Sequence, residues 1–335
     1  MTMMDSFNRR HFIKTAVTTG VGLQFIDVSP TLAAQENGKR VGIIGLDTSH
    51  STAFTKALNA ANPDPVYYGY KVVAAYPYGS KDIESSASRI PAYTEEVKKL
   101  GVEIVDSIKD LLNKVDVVLL ETNDGRLHLQ QAMEVFKSGK RMFIDKPVAA
   151  SMKDVLAIYD ASKKYKIPIF SASSLRYIKG IEAIDKKKVL GADTYSPATL
   201  EKTHPDFFWY GIHGVETLYT VMGTGCKSVS RVSTPDTDIV VGVWADGRTG
   251  TFRGTRTGKH DYGGTVFTQD GNKILGPYAG YEPLLVDIIK YFKTGEVPVT
   301  PEETIEIFAF MEAADESKRQ GGKSVTLESV MKASK

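Results

Sequence analysis

Short apolar runs alternate with segments of helical periodicity over the first half of the chain, and this alternation restricts the fold more than any other feature. Runs suited to buried strands lie at 41–45, 71–76, 102–105, 115–120, 141–144 and 167–171. Helical segments that separate them include 51–61, 91–100, 108–114, 129–138 and 151–166. Strands joined through helices pair in parallel, so the pattern predicts an α/β fold with a doubly wound parallel sheet.

The second half of the chain is richer in strands. Alternating runs lie at 228–232, 238–244, 249–256 and 264–269, and closing helices are predicted at 281–294 and 301–320. Asp246-Gly247 and Asp270-Gly271 are typical of hairpin turns. We therefore expect a first domain over 39–174 and an α+β domain with a mostly antiparallel open sheet over 175–330.

The first 34 residues differ from the rest. Arg9 and Arg10 precede Lys14, and a mildly apolar run then leads to the small residues Ala33 and Ala34. These features resemble a twin-arginine signal peptide, the alternative being an amphipathic first helix. We expect 1–34 to be a cleaved signal and the protein to be periplasmic or otherwise exported. A stable membrane span is not expected, because no apolar run reaches about 18 residues.

Composition excludes several classes of protein. The 335 residues carry a formal net charge of +2 with interspersed signs, so we expect no nucleic-acid partner and no anionic membrane surface. Cys226 is the only cysteine, which excludes an internal disulfide. The length and apolar content suit about two globular domains.

The strand at 41–45 and the following helix have the order of a Rossmann fold, in which a dinucleotide's phosphates lie at the helix N-terminus. Gly45 occupies the first glycine position of the fingerprint, but Asp47 and His50 occupy the second and third. A carboxylate about 4 Å from a phosphate costs roughly 4 kcal/mol at an effective dielectric constant near 20. Asp47 must therefore turn away, cap the helix or mark a different cofactor position. Thr48 and Ser49 are either helix caps or cofactor contacts.

The second strand ends without the carboxylate that normally receives the ribose hydroxyls of NAD. Pro77 follows the strand instead, and Tyr78, Gly79, Ser80 and Lys81 come next. This loop is either a solvated turn or a site for a 2′-phosphate. The expected cofactor is therefore NAD or NADP.

A lysine stands where the strand at 141–144 ends. Asp145, Lys146 and Pro147 follow that strand directly, at the sheet edge where open α/β folds bind their ligands. A partly desolvated lysine can donate a proton or a hydrogen bond to a substrate oxygen. Lys146 is the first candidate for chemistry, and the alternative is a solvated lysine at a turn.

The order of these motifs resembles the Gfo/Idh/MocA family of dehydrogenases. The resemblance is carried by 41–45, by Thr122-Asn123 with His128, and by Asp145-Lys146-Pro147, where the family usually has Glu-Lys-Pro. It implies a nucleotide-binding domain with Lys146 near the nicotinamide. It also implies that Thr122, Asn123 and His128 lie along the cofactor and that Pro147 shapes the loop.

The segment 203–216 contains the second candidate for chemistry. A predicted helix over 210–222 places His213 and Glu216 one turn apart on the same face. In the resembling family a histidine here acts with the lysine as acid and base, and an aspartate usually precedes it by four residues. Trp209 occupies that position, so Asp206 or Glu216 would have to replace the carboxylate. The alternative is that His213 is an ordinary core residue.

Arg176 and Tyr177 follow the last strand of the first domain. By the resemblance, this is the crossing point into the substrate domain, where an arginine and an aromatic residue are common. Arg176, Tyr177, Asp206, Trp209 and Glu216 are therefore the expected substrate contacts. An ion pair is the alternative for Arg176.

A metal site is an alternative to these roles. His204 with Asp206, and His213 with Glu216, supply nitrogen and oxygen ligands. Neither spacing fits a specific zinc pattern, and the resembling family needs no metal. No metal is therefore expected.

The combined expectation is an exported NAD(P)-dependent oxidoreductase that acts on a sugar, a polyol or a derivative, with Lys146 and His213 as proton carriers. Because an exported enzyme lacks a pool of free nucleotide, its cofactor should be tightly held and recycled. Trp244, Tyr262, Tyr278 and Tyr281 either stack on a carbohydrate or pack in the core. The altered fingerprint leaves a carbohydrate-binding protein without nucleotide as the alternative. The antiparallel sheet either lines the substrate site or joins two subunits.

Overall fold

The computed structural model describes residues 39–334. The predicted signal peptide at 1–34 lies outside this range. Within the range, no helix combines the length and the hydropathy needed to cross a bilayer.

The first sheet of the described chain consists of parallel strands at the positions that the alternation predicts. They are β1 (Arg40–Ile44), β2 (Lys71–Tyr76), β3 (Glu103–Ile104), β4 (Val117–Leu120), β5 (Arg141–Ile144) and β6 (Ile169–Phe170). Their order is β3-β2-β1-β4-β5-β6, and neighbours pair in parallel. This is the order of a Rossmann fold, so the prediction for the first half is confirmed.

Helices cover this sheet, and side-chain caps set where several of them begin. They are α1 (Ser49–Leu58), α2 (Glu84–Ala87), α3 (Ile90–Lys99), α4 (Ile108–Lys114), α5 (Gly125–Lys137) and α6 (Met152–Tyr165). The side chain of Ser151 accepts a hydrogen bond from the amide of Asp154 at the start of α6. Asp124 caps α5 in the same way, so that helix begins four residues before the predicted start.

The second sheet lies in the second half and is mixed. Its strands are β7 (Val189–Pro197), β8 (Cys226–Ser233), β9 (Thr237–Trp244), β10 (Thr249–Thr255), β11 (Gly263–Thr268), β12 (Gly271–Leu275) and β13 (Val325–Thr326). The order within the described chain is β12-β11-β7-β10-β9-β8-β13. Only the pairing of β7 with β10 is parallel, so the expected mostly antiparallel sheet is confirmed. The sequence did not predict β7, which lies in the interior of this sheet.

The helices of the second half pack on one face of this sheet or return to the first sheet. They are α7 (Ile212–Met222), α8 (Glu282–Thr294), α9 (Pro301–Arg319) and α10 (Leu327–Ala333). Short 3-10 turns lie at Pro65–Tyr67, Ser174–Tyr177, Ile181–Ala183, Lys186–Lys188 and Asp206–Phe208.

Helix α8 connects the second half of the chain to the first sheet. Its apolar residues Leu284 and Ile288 share a core with Val41 and Ile43 of β1. The hydroxyl of Tyr291 donates to the carbonyl of Met142 in β5 at 3.2 Å. The chain therefore comes back to the nucleotide-binding half after the second sheet is built, which holds the two sheets in a fixed relation.

Gly45 is the glycine at which the site's backbone is most restricted. It has φ of +92°, and a Cβ there would lie 2.5 Å from the amide nitrogen of Thr122. Gly101 has φ of +83° but meets nothing among the described residues within 4 Å of its own Cβ position. Both glycines have a positive φ that disfavours other residues, but only at Gly45 would a side chain also clash with a neighbouring segment.

We expect Gly45→Ala to lower the free energy of unfolding more than Gly101→Ala. The Gly101 variant should lose about 1 kcal/mol from the left-handed backbone alone. The Gly45 variant should lose roughly 1 to 3 kcal/mol more, because overpacking adds to that cost. Urea denaturation of both variants measures the difference, and equal losses would contradict the close approach of β1 and Thr122.

Candidate active site

A cavity of about 350 Å³ opens at the carboxyl edge of the first sheet, and both halves of the chain line it. The first half contributes the start of α1 and the loops after β4 and β5. The residues of both halves that line the cavity are Thr48, Ser49, His50, Ser85, Arg89, Asn123, Lys146, Ser174, Leu175, Thr199, Trp209, Tyr210, His213, Tyr262, Tyr278 and Tyr281. Lys146 and His213, which the sequence places in different domains, therefore meet at one cavity.

Lys146 lies in the cavity wall and is only 7% exposed. Its Nζ is 3.3 Å from Oδ2 of Asp145, which is fully buried. Burial opposes the charge of the ammonium group, but the Asp145 carboxylate outweighs that effect and raises the pKa of Lys146. Lys146 is therefore a protonated donor at neutral pH rather than a solvated lysine at a turn.

His213 lies in the first turn of α7 and is 5% exposed. Its Nδ1 is 2.6 Å from Oγ of Ser173, which leaves Nε2 for a ligand. Burial, and then the charge of Lys146, lowers the pKa of His213 well below its ordinary value. The cavity therefore holds a neutral imidazole that can accept a proton beside an ammonium that can donate one.

His50 occupies the third glycine position and contributes its ring to the cavity. Its Nδ1 lies 3.0 Å from Oδ1 of Asp145 and 3.7 Å from Oε2 of Glu121. The ring also packs edge to face on Tyr281, with centroids 4.5 Å apart. A bulky polar side chain thus stands where a Rossmann fingerprint has a glycine.

Asp47 turns away from the cavity and ties three segments together. Its Oδ1 accepts a hydrogen bond from the amide of Asn123 at 3.0 Å, and its Oδ2 accepts one from the amide of Ser80 at 3.2 Å. Burial raises the pKa of Asp47 to about 6. The carboxylate joins the turn after β1 to the loops after β2 and β4, and it does not line the cavity.

The N-terminus of α1 faces the cavity through Thr48, Ser49 and His50. Thr48 is the N-cap residue, and its side chain makes no capping hydrogen bond within the described chain. The first amides of α1 are therefore open to an anion, as a dinucleotide phosphate requires. With Asp47 turned aside, these residues fit the phosphates of NAD or NADP.

Tyrosines form the wall of the cavity on the side of the second half. The hydroxyls of Tyr210 and Tyr262 lie 3.0 Å apart, and that of Tyr278 lies 3.0 Å from Oγ of Ser174. The hydroxyl of Tyr281 lies 3.0 Å from Oγ of Ser49 at the start of α1. This wall combines aromatic faces with hydroxyl groups, which suits a polar ligand with an apolar face.

A second cavity of about 630 Å³ lies at the end of β2. Tyr78, Gly79, Ser80 and Lys81 from the loop after Pro77 line it, together with residues of α5. Arg126 at its edge is paired with both Asp82 and Asp124. The loop that replaces the usual ribose-binding carboxylate therefore borders an open space.

Besides Asp47, four predicted cofactor residues do not line the first cavity: Gly45, Thr122, His128 and Pro147. His128 is fully buried, with Nε2 at 2.6 Å from the carbonyl oxygen of Thr122 and Nδ1 at 3.1 Å from that of Val148. It joins the loops after β4 and β5 from inside the protein. Pro147 follows a cis peptide bond.

Of the five predicted substrate contacts, Trp209 alone lines the cavity. Arg176 is buried and pairs with Glu216 at 3.1 Å and with Glu303 at 2.5 Å. Burial raises the pKa of Glu216 to about 7, although Arg176 opposes the shift. The Arg176 side chain therefore belongs to an interior ion pair, which was the alternative interpretation.

Tyr177 and Asp206 also lie outside the cavity lining. The hydroxyl of Tyr177 donates to Asp287 at 2.8 Å. Asp206 accepts from Arg231 and Lys318, each at 2.7 Å. Neither Asp206 nor Glu216 therefore takes the place of the aspartate that the resembling family has at the position of Trp209.

Sequence reasoning missed several residues of the site. Ser85 and Arg89 reach the cavity from the segment around α2, and no sequence pattern indicates this. Glu121 is different, because it follows β4 as directly as Asp145 follows β5. The rule that ligands bind beyond the carboxyl ends of parallel strands would have identified it.

Part of the sequence is similar to known oxidoreductases. Residues 39–172 match the family model Gfo/Idh/MocA, described as an oxidoreductase family with an NAD-binding Rossmann fold. A stretch of 86 residues is 26% identical to an uncharacterised oxidoreductase of Streptococcus pneumoniae serotype 4. That stretch spans 25% of this chain and 23% of the relative. The matched domain binds NAD or NADP.

Solved structures extend the likeness to both halves of the fold. A probable dehydrogenase from Thermotoga maritima has a TM-score of 0.69 at 20% identity, covering 87% of this chain and 99% of that one. A scyllo-inositol dehydrogenase from Lactobacillus casei, solved with NAD(H) and scyllo-inositol, has a TM-score of 0.69 at 15% identity. It covers 86% of this chain and 99% of its own. At these identities the likeness is one of fold.

Proposed function

We propose that this chain is an NAD(P)-dependent oxidoreductase of the Gfo/Idh/MocA type that oxidises or reduces a carbon bearing oxygen on a sugar, a polyol or a derivative. The observation that carries the proposal is the meeting of Lys146 and His213 at one cavity beside the N-terminus of α1. The match of 39–172 to an NAD-binding oxidoreductase family supports it.

The amides of Thr48, Ser49 and His50 would hold the cofactor phosphates at the start of α1, and Asn123 would border the cofactor. NAD(P), when bound, supplies the hydride acceptor or donor. The protein's own contribution is to orient the substrate carbon and to move the accompanying proton.

His213 and Lys146 suit different roles in that proton transfer. Neutral His213 accepts the proton of a substrate hydroxyl at Nε2, while Ser173 holds its Nδ1. The ammonium group of Lys146 stabilises the negative charge that develops on the substrate oxygen. In the reverse direction, the protonated His213 returns the proton to that oxygen.

The chemistry of the cavity wall supports a polyhydroxylated substrate. Four tyrosine hydroxyls, the hydroxyl of Thr199 and the indole of Trp209 offer hydrogen bonds and flat apolar faces. A solved inositol dehydrogenase with the same fold adds support for this class of substrate. The volume of about 350 Å³ admits one small ring beside a nicotinamide rather than a long oligosaccharide.

We expect the purified protein to retain close to one NAD(H) or NADP(H) per chain, because an exported enzyme must recycle its cofactor. Denaturation followed by absorbance and enzymatic assay of the released nucleotide measures this. A chain that is purified without nucleotide and that also ignores added NAD and NADP would indicate a carbohydrate-binding protein instead.

Lys146→Met should lower kcat by about 10²-fold to 10⁴-fold, the usual range for a lost proton-transfer group. The variant should still retain nucleotide, because the phosphates are held by α1. Lys186→Met, on a 3-10 turn that does not line the cavity, is the matched control and should keep full turnover. Full turnover of the Lys146 variant would remove its assigned role.

Export through the twin-arginine route remains our proposal for 1–34, supported by the Arg9-Arg10 pair and the small residues before Gln35. Changing both arginines to lysine should abolish export of the full chain. Cell fractionation measures the outcome. Equal amounts of both proteins in the periplasm would contradict the signal.

The outer face of the second sheet supports a homo-oligomer. Tyr195, Val241, Val243 and Phe267 are between 36% and 42% exposed there, while the opposite face is buried. We expect Val241→Lys to shift the sedimentation coefficient towards that of a monomer, because it places a charge in an apolar interface. An unchanged oligomer, or a monomeric parent, would exclude this face.

A further inference from the structure

The structure assigns a divalent metal site to His50, Glu121 and Asp145, directly beside the cavity that His50 and Lys146 line. The inference goes beyond the proposed oxidoreductase function, which uses none of these three side chains in its proton transfer. The residues differ from the histidine and carboxylate pairs that the sequence offered as ligands.

Three adjacent strands bring the ligands together. His50 is the second residue of α1, which follows β1, while Glu121 and Asp145 directly follow β4 and β5. Those strands are neighbours in the parallel sheet, so their carboxyl ends deliver the side chains to one point. All three residues are at least 95% buried.

The ligand atoms have the separations that one ion requires. One atom from each residue lies within 4.8 Å of the others. His50 Nδ1 is 3.0 Å from Asp145 Oδ1 and 3.7 Å from Glu121 Oε2. Ligands about 2.1 Å from a common ion are roughly 3 to 4 Å apart, so these side chains need little adjustment.

Glu121 supplies a second, independent reason. Its side chain is fully buried, and within the described chain neither carboxylate oxygen has a hydrogen-bond partner. Oδ1 of Asp145 and Nδ1 of His50 lie 3.0 Å from each other beside this carboxylate. Buried polar atoms normally have partners, so two orphaned carboxylate oxygens next to an imidazole and a second carboxylate mark a missing ligand.

Protonation of Glu121 would not supply the missing hydrogen-bond partners. It would neutralise the charge, but the new hydroxyl would still lack an acceptor among the described residues, and the carbonyl oxygen would still lack a donor. A divalent cation satisfies both carboxylates and the imidazole nitrogen together. It also offsets the negative charges of Glu121 and Asp145.

The donor set indicates the class of ion. One imidazole nitrogen and two carboxylates suit zinc or manganese rather than calcium or magnesium, which prefer oxygen ligands alone. Because Asp145 offers Oδ1 to the ion and Oδ2 to Lys146, the ion would fix the carboxylate that positions the catalytic ammonium.

Direct measurement on the full chain tests the site. The protein is purified without chelator for metal analysis by mass spectrometry, then stripped with EDTA and titrated with ZnCl₂ or MnCl₂ by calorimetry. Thermal unfolding is followed with and without each salt. We expect about one ion per chain and a rise in Tm of about 3 to 6 °C at a metal concentration near 100 Kd.

Glu121→Gln keeps the shape of the side chain and removes its charge, and it should weaken binding by at least about 10-fold. Glu216→Gln is the matched control, because Glu216 is also a buried carboxylate beside a cation but lies outside the site. It should keep the affinity of the parent. These readouts do not depend on turnover, so they stand apart from the test of the proposed function.

Three results would overturn the assignment. They are a stripped parent that neither binds zinc or manganese nor changes its Tm, a Glu121 variant with parental affinity, and equal losses in the two variants. If Glu121→Gln does not fold by circular dichroism, the stoichiometry and affinity of the parent still decide, and His50→Asn takes the place of that variant.

Discussion

The buried ion pair of Lys146 with Asp145 is the interaction around which the site is arranged. An ammonium with 7% exposure needs a carboxylate close by, and the order of residues after β5 provides it at the adjacent position. Burial lowers the pKa of His213, and the charge of Lys146 lowers it further, which keeps that imidazole neutral. The ion pair therefore keeps Lys146 as a proton donor and helps to keep His213 as a proton acceptor in the same cavity.

A changed glycine fingerprint is compatible with a Rossmann domain because Asp47 is used as a structural residue. Its carboxylate accepts two backbone amides from the loops after β2 and β4, which fastens those loops to the turn after β1. The charge is thereby directed away from the N-terminus of α1. His50, at the third position, instead enters the cavity and approaches Asp145.

Charged residues that suggest ligand binding in the sequence serve the scaffold in several places. Arg176 is held between Glu216 and Glu303, and Arg231 is held by Asp206 together with other aspartates. Such groups are buried only when they are paired, so each arginine fixes the position of several elements. The same reasoning leads to the proposed ion at Glu121, because its carboxylate oxygens have no hydrogen-bond partner in the part of the chain that the structure describes.

The sequence was enough to predict the Rossmann sheet, the mostly antiparallel second sheet and the place of Lys146 at a strand end, because strand periodicity and strand ends are local properties. It did not reveal β7, the tyrosine wall or the use of Arg176 and Asp206 in ion pairs. Those features depend on contacts between residues far apart in the chain, as when Arg176 meets Glu303. Only the tertiary structure decides which charged side chain finds a partner and which faces a cavity.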